Sequence, residues 1–168
     1  AGIAVQAANT GHLVFSTLHT NDSAGAISRM INLGVEPYLA ASAVIAVIAQ
    51  RLVRLICPYC KESYDPTEVQ LAELGIQRDD LKEGQLWRGR GCENCLGRGL
   101  FDRTAIYEIF DIDEQARDQI ISRTSASIMK QAAVQRGLRT LRMDGARRVV
   151  EGKTTIEEVF RVTQRDVF

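Results

Sequence analysis

The sequence has little charge in its first third and few aromatic residues anywhere. Residues 1–56 carry only five charged side chains (Asp22, Arg29, Glu36, Arg51 and Arg54), and aromatic residues make up 6% of the chain. A segment with so little charge is expected to lie mostly in an interior or an interface. Its longest apolar run, residues 39–48, is too short to span a membrane. Because no signal peptide or lipidation motif is present, we expect a cytoplasmic protein.

Aromatic residues are absent from residues 114–159, the segment in which many of the arginines lie. Proteins that bind single-stranded nucleic acid interleave aromatic with basic residues, so this pattern predicts no nucleic-acid partner. Two functions are kept as alternatives. One is a zinc-ribbon module that binds nucleic acid, and the other is a module that docks onto a membrane-embedded partner.

Cysteine is scarce too, and its four copies form two C-x-x-C pairs. Cys57 and Cys60 make the first pair, and Cys92 and Cys95 make the second. Each pair can present two thiolates from one tight turn to a single tetrahedral ion, which predicts a structural Zn²⁺ site. Four thiolates leave no open coordination position, so we expect no catalysis at the metal.

Other uses of the four cysteines stay open at this point. Two disulfides are one alternative, although nothing in the sequence suggests an exported protein. A thioredoxin-like redox site and iron–sulfur ligation are the others. The zinc interpretation is favoured because two C-x-x-C pairs without a βαβ frame fit the redox motif poorly.

The hydrophobic pattern and the turn residues predict an α/β protein. The expected strands cover residues 12–19, 51–56 and 104–112, and the expected helices cover residues 1–9, 23–33, 37–50, 66–74, 113–122, 126–136, 140–151 and 156–162. Residues 12–19 form a short, mostly apolar run, which is typical of a strand buried on both faces of a parallel sheet. A capping box begins the last helix at Thr155, and the helices at the end predict a small helical bundle.

Polar residues follow the first expected strand at its carboxyl end. They are Thr17, His19, Thr20 and Asn21. Ligands of open α/β sheets bind outside the carboxyl ends of the strands, so this end is a candidate binding site. A single strand histidine is more often structural than functional, and His12 lies too far along the strand to share a small ligand with His19.

Residues 11–21 read GHLVFSTLHTN, and residues 50–60 read QRLVRLICPYC. These stretches resemble the histidine box and the entry into the tetracysteine module of the secretion ATPases, the motors of type II secretion and type IV pilus assembly. Residues 104–108, TAIYE, and residues 144–163 are also similar to family sequence. The tetracysteine module resembles the secretion and pilus-extension branch and not the retraction branch.

The resemblance implies the C-terminal part of a RecA-like P-loop ATPase domain. On this basis we expect residues 1–56 to belong to the RecA-like core, residues 57–103 to form the zinc module, and residues 104–168 to form a strand with a C-terminal helical subdomain. The family binds ATP and Mg²⁺ between the subunits of a homo-hexamer. It works with a platform protein of the inner membrane, so a cytoplasmic position peripheral to that membrane is implied.

The resemblance also assigns roles to individual residues. His19, His12 and Thr17 become candidate catalytic residues, with His19 placed to sense the γ-phosphate. Asn21 and Arg51 become candidates for binding the cofactor.

One family motif is missing from the sequence. No G-x-x-x-x-G-K-[ST] phosphate loop occurs in it, and this loop holds the β- and γ-phosphates in P-loop ATPases. We therefore expect a C-terminal fragment of a motor that does not hydrolyse ATP by itself. The opening inside a helix fits the same expectation.

Overall fold

A computed structural model describes residues 1–166 of the chain. The helices are α1 Gly2–Asn9, α2 Ser23–Asn32, α3 Pro37–Ala43, α4 Glu68–Leu74, α5 Glu114–Ile121, α6 Ala126–Gln135, α7 Leu141–Val150 and α8 Ile156–Val162. The strands are β1 Ala46–Ile56, β2 Lys61–Tyr64, β3 Leu86–Gly89 and β4 Leu100–Asp111. Strand β1 pairs with β4 and β2 with β3, in two separate two-stranded sheets. The protein is thus a mixed α/β structure with small sheets, as the coarse fold class predicts.

The chain divides into two compact units. We call Ala1–Ala49 with Glu108–Arg139 the histidine unit, because it contains both histidines. We call Gln50–Tyr107 with Thr140–Asp166 the cysteine unit. Each unit is described by itself below. The three-way division expected from the sequence remains a prediction.

The histidine unit packs its helices around a core of small and branched apolar side chains. Two aspartates begin helices at the predicted positions: Asp22 caps α2 by accepting from Gly25 N at 2.9 Å, and Asp113 caps α5 by accepting from Ala116 N at 2.8 Å. Such caps satisfy backbone donors that have no partner within the helix. The buried core consists of Val5, Ala24, Ile27, Val35, Ala40, Ala41, Phe110, Ile112, Ala116, Ile120, Met129 and Ala133.

The cysteine unit combines an antiparallel pair of strands with three helices. Strands β2 and β3 are antiparallel, with Lys61 opposite Gly89 and Tyr64 opposite Leu86. Helix α7 packs on α8, and a Cβ added at Gly145 would lie 2.6 Å from Val159 Cγ1, so only glycine permits this close approach. The core consists of Leu71, Leu74, Ile76, Leu81, Leu86, Ala146, Val149, Ile156 and Val159.

The strand predicted over residues 12–19 is wrong. Residues 12–20 have no regular secondary structure, and every residue from His12 to His19 is exposed. Phe15 is 88% exposed and Leu13 is 74% exposed. Apolar and β-branched residues give only a preference for extended backbone, whereas a strand also needs a neighbouring strand to hydrogen-bond with. None of the strands in the described part of the chain fills that role.

The helix predicted over residues 37–50 is wrong in its second half. Helix α3 ends at Ala43, and β1 begins at Ala46, five residues before the predicted strand. Alanines favour the helix up to that point, and the β-branched Val44, Ile45, Val47 and Ile48 favour extended backbone after it. Ile45 O accepts from Ile112 N at 2.9 Å, so a partner segment is available there.

The remaining elements agree with the sequence to within a few residues. The helix expected over 66–74 is α4, and its capping box joins Thr67 and Gln70. The strand expected over 104–112 is β4, which begins four residues earlier. Thr155 caps α8 by accepting from Glu158 N at 3.4 Å, but the Glu158 side chain bonds to Arg54 rather than to the cap backbone. Among the described residues no helix is long and apolar enough to cross a membrane.

Candidate functional site

The structure brings the four cysteines together in the cysteine unit. Cys57 and Cys60 follow the end of β1, and Cys92 and Cys95 lie in the turn that precedes β4. Cys57 N donates to Gly99 O at 2.9 Å and ties the two segments together. All four Sγ atoms lie within 4.8 Å of one another, and three of the four residues are buried.

The spacing of the sulfur atoms fits a tetrahedral metal site. The Sγ–Sγ distances are 3.9 Å for Cys57 and Cys92, 3.9 Å for Cys60 and Cys95, and 3.7 Å for Cys92 and Cys95. Four sulfurs bound to one zinc at about 2.3 Å would lie about 3.8 Å apart. A disulfide needs about 2.05 Å, so these thiols are not bonded to one another. The four cysteines are free, and their donor set and spacing fit Zn²⁺.

Backbone N–H groups also point at the sulfurs. Gly91 N donates to Cys60 Sγ at 3.3 Å, Cys92 N donates to Cys95 Sγ at 3.2 Å, and Gly99 N donates to Cys95 Sγ at 3.1 Å. Such donors stabilise thiolate over thiol. They therefore favour the protonation state that a metal ion requires.

The environments of Cys60 and Cys95 move their pKa values in opposite directions. Burial raises the pKa of the Cys60 thiol to about 12, against a smaller lowering effect of the Gly91 N–H. Burial also acts to raise the pKa of Cys95, but the N–H groups of Cys92 and Gly99 outweigh it and lower the pKa to about 6. Since a metal ligand must be deprotonated, loading the cluster would release a proton from Cys60.

Two glycines allow the chain before and after the second cysteine pair to come together. Gly89 and Gly99 approach backbone to backbone, so that a Cβ built on Gly89 would lie 1.9 Å from Gly99 O. No side chain fits in that space, and a residue other than glycine would push the segments apart. This is the physical basis for the glycines that surround the second cysteine pair.

The residues that the resemblance assigns to catalysis or nucleotide binding lie mainly in the histidine unit. Thr17, His19 and Asn21 are exposed. His12 is exposed as well, and its Nδ1 lies 3.2 Å from Thr10 Oγ1 and 3.3 Å from Ala7 O, next to the end of α1. Arg51 belongs to the cysteine unit, where it is half-buried in β1.

We call residues 12–19 the histidine segment. A buried charged cluster that the sequence did not predict includes Asp22 and Ser23, which follow shortly after this segment. Glu108 is completely buried, and its Oε1 accepts from Ser23 N at 2.9 Å and from Ser23 Oγ at 2.5 Å. Lys130 Nζ lies 3.4 Å from Glu108 Oε2 and 3.3 Å from Asp22 Oδ2. We call Asp22, Ser23, Glu108 and Lys130 the α2 anchor.

One sequence signal could have revealed the α2 anchor. Glu108 alternates with Ile106 and Phe110, two buried residues on the same face of β4. A carboxylate at an inward position of a strand is costly to bury unless it is paired, so a partner had to exist. The identity of that partner could not be read from the sequence, because Ser23 and Lys130 are distant along the chain.

Comparison with known proteins extends the resemblance found in the sequence. The profile of the Type II/IV secretion system protein family matches residues 1–161. Type II secretion system protein E of Pseudomonas aeruginosa is 47% identical over 99% of this chain and 32% of its own length. Type IV pilus assembly ATPase PilB of Thermus thermophilus is 44% identical over 97% of this chain and 18% of its own length. The chain therefore spans about a third or less of these two relatives.

The matched region includes the histidine segment, the four cysteines and almost all of the helices, and the expected resemblance is confirmed. A profile that covers 1–161 of 168 residues leaves little of the chain outside the match. The chain belongs to the Type II/IV secretion system protein family.

Proposed function

We propose that this chain is part of an ATP-hydrolysing motor that powers type II secretion or type IV pilus assembly. The observation that carries the proposal is the similarity to relatives named for both machines, at 44% and 47% identity over nearly the whole chain. The chain would be the C-terminal part of a RecA-like ATPase domain, together with a zinc module and a C-terminal helical bundle. The phosphate loop would be supplied by the rest of the parent protein.

The exposed histidine segment is the proposed nucleotide-facing part of the chain. His19 would contact the γ-phosphate and respond to its loss, with Thr17 and Asn21 as hydrogen-bonding companions and His12 in a lesser role. Their exposure supports this, since a nucleotide can reach these side chains. Groups that hold a phosphoryl oxygen in place contribute to catalysis by positioning and charge stabilisation. Arg51 would contact the cofactor or another subunit.

The assembly is proposed from the family as a whole. ATP and Mg²⁺ would bind between the subunits of a homo-hexamer on the cytoplasmic side of the inner membrane. The platform protein of the secretion or pilus machine would be the partner. Nucleic acid would not be bound.

The tetracysteine cluster is proposed to hold a structural Zn²⁺. The ion would hold the two C-x-x-C turns together, and its coordination positions would all be occupied by Cys57, Cys60, Cys92 and Cys95. The sulfur spacing and the N–H donors support this assignment.

A phosphate-release assay tests the motor proposal. We expect no ATP hydrolysis from the 168-residue chain and sustained hydrolysis from the full-length parent. Replacing His19 by Ala in the parent should lower kcat by about a hundredfold, and replacing His12 by Ala should have a smaller effect. A parent that releases no phosphate as an assembled oligomer would refute the proposal, and so would full activity of the 168-residue chain alone.

Elemental analysis tests the zinc proposal. The reduced chain should bind one zinc per molecule, and replacing Cys95 by Ser should abolish tight binding because three thiolates remain. Replacing Ser63 by Ala in β2 is a control that leaves the four ligands in place. Absence of zinc after reconstitution under reducing conditions would contradict the proposal.

A further inference from the structure

The histidine segment has few constraints of its own. Its residues from His12 to His19 are exposed and lie outside helices and strands. A side chain on such a segment is positioned mainly by the points at which the chain is fixed on either side. On the C-terminal side that point is the start of α2 at Ser23, four residues after His19.

The start of α2 is fixed by the α2 anchor. Glu108 accepts both the N–H and the hydroxyl of Ser23, the first residue of the helix. Asp22 caps the helix through Oδ1 and contacts Lys130 through Oδ2. Lys130 also contacts Glu108, so one ammonium joins both carboxylates. The chain just before the helix is also tied to it, because Thr20 Oγ1 donates to Asp22 O at 3.0 Å.

The burial of the α2 anchor makes its geometry sharply defined. The side chain of Glu108 is 0% exposed and that of Lys130 is 17% exposed. A buried ion pair adds little net stability compared with apolar residues, but its hydrogen bonds fix one arrangement of the groups involved. Three residues span at most about 11 Å, so the position of Asp22 limits where His19 can lie.

We propose that Glu108 and Lys130 are positioning residues, which hold the start of α2 so that His19 is presented to the nucleotide in one orientation. This inference rests on the proposed function of the histidine segment. A misplacement of about 1 Å can cost about a hundredfold in rate, so loss of the anchor should affect turnover more than binding.

The first test uses the 168-residue chain and needs no turnover. The chain contains only two histidines, so their ring C–H signals are readily separated by NMR. Replacing Lys130 by Met should shift the His19 signal and leave that of His12 in place, since His12 lies against Ala7 and Thr10. Replacing Lys130 by Arg keeps the charge and should restore much of the original His19 signal. A His19 signal that is unchanged by Lys130→Met would overturn the inference.

The second test measures ATP hydrolysis by the full-length parent. Lys130→Met and Glu108→Gln should each lower kcat by about tenfold or more with KM within about twofold, which is the signature of lost positioning. Ser23→Ala removes only the hydroxyl donor and should give a smaller loss of kcat in a folded protein.

The matched control is Glu158→Gln, which changes a buried carboxylate in the cysteine unit. It should lower thermal stability and leave kcat within about twofold of the wild type. Equal losses of kcat in Glu158→Gln and Glu108→Gln would reduce the effect to general destabilisation and overturn the inference. A parent that hydrolyses no ATP would count against the proposed function alone, because the histidine spectrum tests the anchor independently.

Discussion

Glu158 joins β1 to α8 within the cysteine unit through its hydrogen bonds to Arg54. Its side chain is 3% exposed. Oε2 accepts from Arg54 N at 3.0 Å and Oε1 accepts from Arg54 Nη2 at 2.6 Å, while Arg161 adds two bonds at 3.0 and 2.9 Å. Replacing Glu158 by Gln removes the charge but keeps the shape of the side chain.

The expected loss of stability follows from the pKa of Glu158. Burial acts to raise this pKa, but the hydrogen bonds from Arg54 and Arg161 outweigh burial and lower it from 4.5 to about 2. Each tenfold change in proton affinity corresponds to about 1.4 kcal/mol. The ionised Glu158 therefore contributes at most about 3 kcal/mol to the free energy of unfolding. Arg54 and Arg161 are 37% and 51% exposed. Solvent screening therefore reduces the expected loss to about 2 kcal/mol.

The lowered pKa of Glu158 also determines how its contribution to the unfolding free energy changes with pH. Because the folded state lowers the pKa of Glu158, the carboxylate stabilises the fold fully above pH 4.5, and this contribution is lost as the pH falls toward 2. The difference in unfolding free energy between wild type and Glu158→Gln should thus be about 2 kcal/mol at pH 7 and should shrink steadily below pH 4.5.

The measurement is urea unfolding followed by tryptophan fluorescence. Trp87 is the only tryptophan and lies in β3 of the cysteine unit, so its emission reports the unit that contains Glu158. Both proteins should be measured without metal in the presence of a chelator, since acid also protonates the cysteines and would release zinc. A difference that stays constant from pH 7 to pH 2.5, or that is below about 0.5 kcal/mol at pH 7, would refute the reasoning.

Two further predictions address packing and exposure. Replacing Gly145 by Ala should destabilise the cysteine unit by about 1–3 kcal/mol, because the new Cβ would lie 2.6 Å from Val159 Cγ1. In a Val159→Ala background the same change should cost clearly less, while Gly2→Ala, with no atom within 4 Å of the new Cβ, is the neutral control; equal costs in both backgrounds would exclude the clash. Replacing Phe15 by Ser should change the unfolding free energy by less than about 0.5 kcal/mol, since the ring is 88% exposed. A loss of about 3 kcal/mol on urea unfolding would indicate that the ring is buried, as a core strand would require.

The sequence predicted local features well wherever they depend on neighbouring residues. Asp22 and Asp113 cap helices because an aspartate side chain reaches the N–H three residues later. The C-x-x-C spacing likewise places two sulfurs in one turn, and this motif led to the four-cysteine cluster. Such features need no information about the rest of the chain.

The errors occurred where distant parts of the chain decide the outcome. Residues 12–19 have the composition of a buried strand, yet no strand in the described part of the chain pairs with them. Val44 to Ile48 could continue a helix or begin a strand, and the contact between Ile45 and Ile112 goes with the strand. In both cases the presence or absence of a hydrogen-bond partner elsewhere in the chain decided the structure.

The sequence by itself determined the family, the four cysteines as a group, and most helix boundaries, because each follows from residue types at short spacings. Only the tertiary structure showed that three of the sulfur–sulfur distances match the edge of a metal-centred tetrahedron, and that Glu108 joins Ser23 and Lys130 in one buried cluster. The physical reason is that burial makes each charged group require a partner, but the partner is chosen by the fold from residues far away along the chain.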